Sequence, residues 1–157
     1  MEPRTPRQIE VRYHETRAEC ELKVLYFTHC CAKKDDSLRD TGRRVSPLEL
    51  YLATPTQRFM RRCIETGIEW AIFSDKNAFV FPKDKIEWYE KDPNTLSTAE
   101  KEGLFTEAYE VLKNYDLACF YYNPGRLHPV YRELVNDMKK RGITIREITH
   151  LNDILPR

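Results

Sequence analysis

Apolar and polar positions along the chain form short continuous apolar runs that alternate with longer stretches of helical periodicity. Runs of this kind, rich in Ile, Val, Phe and Tyr, predict strands of a buried sheet. A shorter apolar run over 78–81 is closed by Pro82, and residues 86–92 form an irregular aromatic segment. The four predicted strands cover residues 23–28, 68–74, 117–122 and 143–148.

The stretches between these runs carry start and stop signals for helices. A serine–proline pair at 46–47 and a threonine–proline pair at 54–55 each place a capping residue before a favourable first helical residue. The second pair opens a helix that reaches Thr66 and ends at Gly67. Its expected apolar stripe consists of Leu52, Phe59, Cys63 and Ile64. Two further helices are predicted over residues 97–114 and 128–141.

The order of these elements predicts the fold class. Strands that alternate with helices favour a mostly parallel sheet whose strands are joined by right-handed crossovers. We therefore expect a three-layer, Rossmann-like α/β fold of about four to five strands, formed as a single domain by residues 23–157. Residues 1–22 are polar and charged, and they predict an N-terminal arm or an edge strand around the alternating segment 9–13.

Composition and charge narrow the class of protein. Hydrophobic residues make up 41% and charged residues 32% of the 157 residues, a balance typical of globular domains. The formal net charge of +1 argues against binding nucleic acid by bulk charge. No apolar run approaches the length of about 18 residues that crosses a bilayer. The N-terminus lacks an apolar signal core, so we expect a cytoplasmic protein.

The cysteines favour reduced thiols over a disulfide framework. Their number is odd, and no Cys-x-x-Cys pair occurs. The four histidines are scattered, so neither a metal site nor a cofactor is expected from the sequence. The five cysteines are Cys20, Cys30, Cys31, Cys63 and Cys119.

Polar loops follow three of the predicted strands. Because the carboxyl ends of parallel strands meet at one edge of a sheet, we expect the loops 30–37, 74–77 and 123–128 to lie together there. They combine thiols, lysines, an aspartate and an arginine, and such groups suit an anionic or nucleotide-like ligand. Two cysteines beside two lysines and a histidine predict a field that favours the thiolate.

These loops supply the candidate site residues. Cys30 is the candidate nucleophile, with Lys34 and Lys76 as the other catalytic candidates. The aromatic residues Tyr51, Trp88 and Tyr89 could form a stacking wall for a base. Each candidate also has a structural interpretation. The cysteines could be small buried residues, residues 33–36 could be a solvated run of charges, and the others could be turn or packing residues. The candidate substrate-binding residues are Cys31, Lys33, Ser37, Tyr51, Ser74, Asp75, Tyr89, Asn123 and Arg126.

The motifs resemble those of an uncharacterised α/β family often labelled peroxide-stress-protein-like. The matching positions are Cys30 or Cys31 with Lys33 and Lys34, then Leu50-Tyr51, then Ser74, Lys76 and Pro82, then Tyr89-Glu90. Asn77-Ala78 stands where that family usually has His-Gly. A more distant similarity is to the core domain of archaeosine synthase, which has a Cys-x-x-x-Lys motif that Cys30 and Lys34 match. These resemblances imply a shared α/β fold and a pocket used in nucleobase or tRNA modification.

Three functional hypotheses follow. The first is a cytoplasmic enzyme that acts on a nucleobase, nucleoside or modified nucleic acid, with its pocket at the C-terminal ends of the strands and no cofactor. The second is a non-catalytic module that binds RNA or DNA with the helical arginines Arg58, Arg61 and Arg62, whose spacing places them on one face. The third is a thiol-based stress-response protein that uses Cys30 and Cys31, although vicinal cysteines form a disulfide only with strain.

Overall fold

A computed structural model describes residues 22–156 and shows an α/β domain built on a five-stranded sheet. The predicted arm or edge strand over 1–22 lies outside the described residues, apart from Leu22. The described strands are β1 (Val24–His29), β2 (Arg44–Val45), β3 (Trp70–Ser74), β4 (Ala78–Val80), β5 (Ile86–Glu87), β6 (Leu117–Tyr121) and β7 (Ile145–Ile148). The described helices are α1 (Pro47–Leu50), α2 (Thr54–Thr66), α3 (Thr98–Leu112) and α4 (Pro129–Lys140).

The sheet has the strand order β4-β3-β1-β6-β7, and only β4 runs antiparallel to its neighbour. The mostly parallel α/β fold expected from the sequence is therefore confirmed. The chain proceeds from β1 to β3 on one side and later returns to β6 on the other side of β1. The strand order thus reverses between β1 and β6, and in open α/β sheets this is where a crevice opens for ligands.

Helices cover both faces of the sheet because the crossovers change direction at β1. Right-handed crossovers in opposite directions place their helices on opposite faces. Accordingly α2 packs with Tyr26 and Trp70 in one apolar cluster, and α3 and α4 pack with Leu25 and Phe27 in the other. Successive residues of β1 point to opposite faces, so both clusters draw on this central strand.

Helix α2 buries a different set of side chains from the one expected. Its buried residues are centred on Phe59, Met60 and Cys63, which follow the helical repeat from Thr56. Ile64 lies at the edge of this stripe and is 52% exposed. Leu52, which precedes the helix, is 38% exposed, so the expected stripe was wrong at these two positions.

The segment between β3 and α3 is more ordered than the sequence indicated. Residues 78–81 were predicted as a short apolar run, and β4 pairs there with β3 through a tight turn at 75–77. Residues 44–45, just before α1, and residues 86–87 of the aromatic segment form a small antiparallel sheet, β2 with β5. Strands this short form because they pair with residues far away in the sequence, so hydrophobic periodicity does not reveal these strands. No helix within residues 22–156 has the length and apolarity that crossing a membrane requires.

Candidate functional site

Cys30 and Asp75 meet at the C-terminal edge of the sheet. Cys30 follows β1 and Asp75 follows β3, and the Cys30 N–H donates to the Phe73 carbonyl at 2.8 Å, which ties the two strand ends together. The Cys30 Sγ donates to the Asp75 Oδ1 at 3.4 Å and lies 3.5 Å from the Tyr131 Oη. Cys30 and Asp75 are 6% and 3% exposed. The expected convergence of the first two loops is therefore present.

The thiol of Cys30 is not activated as the sequence suggested. Burial, followed by the charge of Asp75, raises the pKa of Cys30 to about 11. The nearby cations do not offset this: Lys33 is exposed, and the Lys34 ammonium donates to the Cys31 carbonyl at 2.9 Å. The prediction of a thiolate at Cys30 was wrong, because its sulfur contacts Asp75 and Tyr131 and not the lysines that are adjacent in the sequence.

Asp75 is a buried carboxyl group whose pKa is raised. Burial is the main cause, and the hydrogen bond from Cys30 and the charge of Lys34 oppose it. The turn that carries Asp75 is held by Ser74, whose Oγ accepts from the N–H groups of Lys76 and Asn77 at 3.1 and 3.0 Å. Ala78, at the end of this turn, has a φ of 57°, in the left-handed region that costs a residue with a Cβ about 1–2 kcal/mol. The backbone beside Asp75 is thus held in a constrained conformation.

Three hydroxyl groups form a buried chain behind Asp75. The Ser74 Oγ donates to the Tyr89 Oη at 2.8 Å, and the Tyr89 Oη lies 2.7 Å from the Tyr51 Oη. Tyr51 and Ser74 are fully buried, and Tyr89 is 4% exposed. The stacking wall expected from Tyr51 and Tyr89 is not formed, because their hydroxyl groups and rings are used to hold neighbouring residues. Trp88 is instead covered by the Arg39 guanidinium, 4.7 Å from its ring.

The lysines and Ser37 occupy different environments. Lys34 is buried, with its Nζ 4.4 Å from the centroid of the Tyr89 ring, a cation–π contact. Lys76 is exposed, with its Nζ 5.7 Å from the same centroid. Lys33 is also exposed, and Ser37 donates to Asp35 at 2.6 Å within a local turn. The structure therefore brings Lys34 and Lys76 to the edge near Asp75, and it holds Ser37 in a local cap.

Asp75 lines a cavity of about 460 Å³, which we call the aspartate cavity. Lys76 and Tyr89 share its wall with residues of α3. Three further carboxylates and one further lysine also line it, so its lining is acidic overall. The lining residues are Asp75, Lys76, Tyr89, Glu90, Lys91, Leu96, Glu100, Gly103, Leu104 and Glu107.

A second cavity, of about 510 Å³, lies between the ends of β1 and β6, and we call it the switch-point cavity. His29 and Cys31 contribute from the end of β1, and Asn123 and Arg126 contribute from the loop after β6. The N-terminus of α2 forms another part of the wall, and the other lining residues are Thr28, Tyr121, Tyr122 and Leu151. The Asn123 Oδ1 also accepts from the Gly125 N–H at 3.0 Å, which shapes the loop. The third predicted loop therefore does join the edge, at this cavity.

Comparison with protein-family models, curated proteins and solved structures found no match. The family resemblance stated from the motifs thus stays an expectation.

The three helical arginines do not form one exposed ridge. Arg62 donates from Nε and Nη2 to the Ile154 carbonyl, at 3.1 and 2.8 Å, and so fixes the C-terminal segment to α2. Arg58 lines the switch-point cavity, and Arg61 is exposed. Spacing placed all three on one side of α2, but a carbonyl close in space, which the sequence cannot show, engages one of them.

Two residues of the site were not singled out as ligand-binding or catalytic by sequence reasoning. Tyr131 approaches the Cys30 sulfur, and burial raises its pKa. Its ring stacks on His29 at a centroid distance of 4.5 Å. The His29 Nδ1 lies 2.8 Å from the Cys30 carbonyl, which only accepts, so Nδ1 carries the proton. The sequence did contain a signal that Tyr131 lies near the site. Tyr131 belongs to α4, which begins directly after the loop at this edge, with His128 as its cap.

Metal and disulfide chemistry find no support in the described residues. Within 22–156 no group of three or more His, Cys, Asp or Glu side chains is placed to hold a metal ion. Cys30 and Cys31 are free thiols with different partners, since the Cys31 Sγ donates to the Lys33 carbonyl at 3.3 Å. Cys63 and Cys119 are fully buried in the core.

Alkylation should separate the two neighbouring cysteines. At pH 7.5 we expect iodoacetamide to modify Cys31 at least about tenfold faster than Cys30, because Cys30 is buried and its pKa is about 11. Cys30 modification should continue to accelerate above pH 9. Peptide mapping of the folded protein by mass spectrometry measures both rates, with buried Cys63 as the unreactive reference. Faster labelling of Cys30 at pH 7.5 would contradict this description of its thiol.

Proposed function

We propose that this chain is a cytoplasmic enzyme that acts on a nucleobase or nucleoside, free or within RNA or DNA, at the C-terminal edge of its sheet. The observation that supports it most is Asp75, a buried carboxyl group with a raised pKa in the wall of a cavity. Ionisable groups with perturbed pKa values in cavities are typical of sites that move protons.

The chemistry of a base edge matches the groups in the aspartate cavity. The carboxylate of Asp75 can accept from a ring N–H or an exocyclic amino group, and the ammonium of Lys76 can donate to a ring carbonyl. The other carboxylates of this cavity, Glu90, Glu100 and Glu107, favour a ligand part rich in donors over a phosphate. These features support recognition of a base in this cavity.

Cys30 is the proposed nucleophile, and Asp75 is the group placed to take its proton. Transfer along the 3.4 Å Sγ–Oδ1 contact would leave a thiolate and a neutral carboxylic acid. The sulfur would then form a bond to an electrophilic carbon of the ligand, and Asp75 would return the proton to the group that accepts the electron pair. Because the pKa of Cys30 is about 11, little thiolate is present at neutral pH, and the proposal requires that the bound ligand stabilise it.

A ligand screen tests this proposal directly. Purified protein is combined with nucleobases, nucleosides, nucleotides, and short RNA and DNA, and binding is followed by thermal shift and native mass spectrometry. We expect at least one nucleobase or nucleoside to raise Tm in the wild type, with a weaker shift in Cys30→Ala. Cys63→Ala is the matched control, because it also removes a buried sulfur but lies in the core under α2.

The possible outcomes separate the hypotheses. A base or nucleoside that stabilises the wild type and Cys63→Ala but not Cys30→Ala supports the enzyme proposal and justifies kinetic work. Binding only of RNA or DNA, with affinity that falls steeply with salt, would replace it with the nucleic-acid module. Oxidation of Cys30 and Cys31 by peroxide, seen as a change in intact mass without any ligand binding, would favour the stress-response protein.

A further inference from the structure

The switch-point cavity has a different charge from the aspartate cavity. Two arginines, Arg58 and Arg126, line it, and no aspartate or glutamate is among the described residues of its lining. Within residues 22–156 neither arginine has a carboxylate partner at salt-bridge distance. Two guanidinium groups that face a sheet crevice with no counter-charge among residues 22–156 favour an anion.

The N-terminus of α2 faces this cavity without a side-chain cap. Ala53 occupies the cap position and supplies no side-chain acceptor, and Pro55 in the first turn has no N–H. Among the described residues, no group accepts a hydrogen bond from the backbone N–H of Thr54 or Thr56. The contrast within this chain is informative, because α1 and α3 both have complete capping boxes. The start of α2 thus leaves donors at the positive end of a 13-residue helix.

Thr56 provides an independent sign of a ligand. Its side chain is only 6% exposed, and it lines the switch-point cavity. In the described part of the chain its hydroxyl group has no hydrogen-bond partner, whereas the neighbouring Thr28 hydroxyl donates to the Tyr121 carbonyl at 2.7 Å. A buried hydroxyl without a partner is costly, so a ligand atom that pairs with it is the simplest reason for a threonine here.

We propose that the N-terminus of α2, Thr56, Arg58 and Arg126 form a binding site for the phosphate of a phosphate monoester. A phosphate dianion has the oxygen acceptors that the two guanidinium groups, the Thr56 hydroxyl and the helix N–H groups can share. This inference deepens the proposed function, on which it rests for the nucleoside part of the ligand. With the proposed function, the proposed substrate class is a nucleoside monophosphate whose phosphate binds in the switch-point cavity.

The test follows binding of inorganic phosphate, AMP and adenosine by calorimetry and by backbone amide NMR. We expect phosphate and AMP to shift the amides of residues 54–58, and adenosine to leave them unchanged. Arg58→Gln and Arg126→Gln should each weaken phosphate binding about tenfold. Arg61→Gln, an exposed arginine on the same helix, should change it less than about twofold.

Thr56→Val distinguishes a ligand contact from a structural role. It keeps the shape of the side chain and removes a buried hydroxyl group that has no hydrogen-bond partner within residues 22–156, so Tm without ligand should stay unchanged or rise. Phosphate binding should nevertheless weaken about fivefold. A lower Tm with unchanged phosphate binding would overturn the assignment of this hydroxyl.

Failure of this site and failure of the proposed function give different results. Equal phosphate affinity in Arg58→Gln and Arg61→Gln, or amide shifts elsewhere in the protein, would overturn the phosphate site alone. Adenosine binding that disappears in Asp75→Asn while phosphate binding persists would support both proposals. Tight binding of short single-stranded RNA with no binding of AMP would overturn the monoester and favour a phosphodiester backbone.

Discussion

Asp75→Asn is expected to abolish the Tm shift produced by the ligand while making the unliganded protein more stable at neutral pH. The amide keeps the size of the side chain and an acceptor for the Cys30 thiol, but it cannot carry the charge or exchange the proton. A hydrogen bond to a charged group contributes about 1.5–3 kcal/mol, so binding of the base should weaken about tenfold or more. The gain in stability arises because burial disfavours the carboxylate in the folded protein.

The pH dependence gives this prediction a definite sign. The pKa of Asp75 is raised in the folded protein, so the folded state binds its proton more tightly than the unfolded state does. The wild type therefore loses free energy of unfolding as the pH rises from the unfolded pKa, about 4, through the folded value. The stability gained by Asp75→Asn should be present at pH 7 and should vanish below about pH 4.

Urea unfolding of both proteins at several pH values measures this difference. Asp84→Asn is a suitable control, because Asp84 is an exposed aspartate in a turn, where burial does not disfavour its charge. Its Oδ2 accepts from the Phe81 N–H at 2.7 Å. If Asp75→Asn is less stable than the wild type at pH 7, Asp75 stabilises the fold. That result would contradict a carboxyl group that lowers the stability of the fold and serves in binding.

Phe27→Ala is expected to lower the free energy of unfolding by about 3–5 kcal/mol, the usual cost of removing a fully buried phenylalanine. Phe27 lies in the central strand between two rings, with Phe79 edge-on at 5.1 Å and Phe120 stacked at 5.0 Å. The substitution leaves a cavity beside Phe120 of β6 and Phe79 of β4, in the cluster that packs on this face of the sheet. Since small domains are stable by about 5–15 kcal/mol, this loss is a large part of the total.

The measurement is chemical denaturation, with Ile64→Ala as the control. Ile64 is 52% exposed on α2, so its truncation should cost less than about 1 kcal/mol. If Phe27→Ala does not fold, Phe27→Leu, which leaves a smaller cavity, should fold with a smaller loss of stability. A loss no greater than that of Ile64→Ala would contradict the packing described for the cluster around Phe27.

Much of the fold was predictable because it depends on local patterns. The apolar run before Cys30 and the nearly continuous apolar run at 117–122 identified β1 and β6 to within one residue. The proline and glycine signals identified α2 with the bounds that the structure shows, 54 to 66. Alternation of such elements implies parallel pairing, and parallel pairing brings the loops after the strands to one edge. The location of the candidate site was therefore predictable as well.

The environment of each side chain at that edge was not predictable. Proximity in sequence suggested that Lys33 and Lys34 would lower the pKa of Cys30, but a strand end turns neighbouring residues in different directions. The partners of Cys30 are Asp75 and Tyr131, which are 45 and 101 residues away. Electrostatic effects depend on distance in space and on burial, and neither can be read from spacing along the chain.

The sequence by itself determined the fold class, the central strands, the main helices and the edge where polar loops gather. All of these follow from hydrophobic periodicity and from capping residues, which act over a few positions. The tertiary structure alone decided that Tyr51 is interior, that Arg62 is bound to Ile154, and that Arg58 faces a cavity. It also decided that Asp75 and Cys30 share a buried contact, because only folding brings β1 and β3 together and removes water from between their ends.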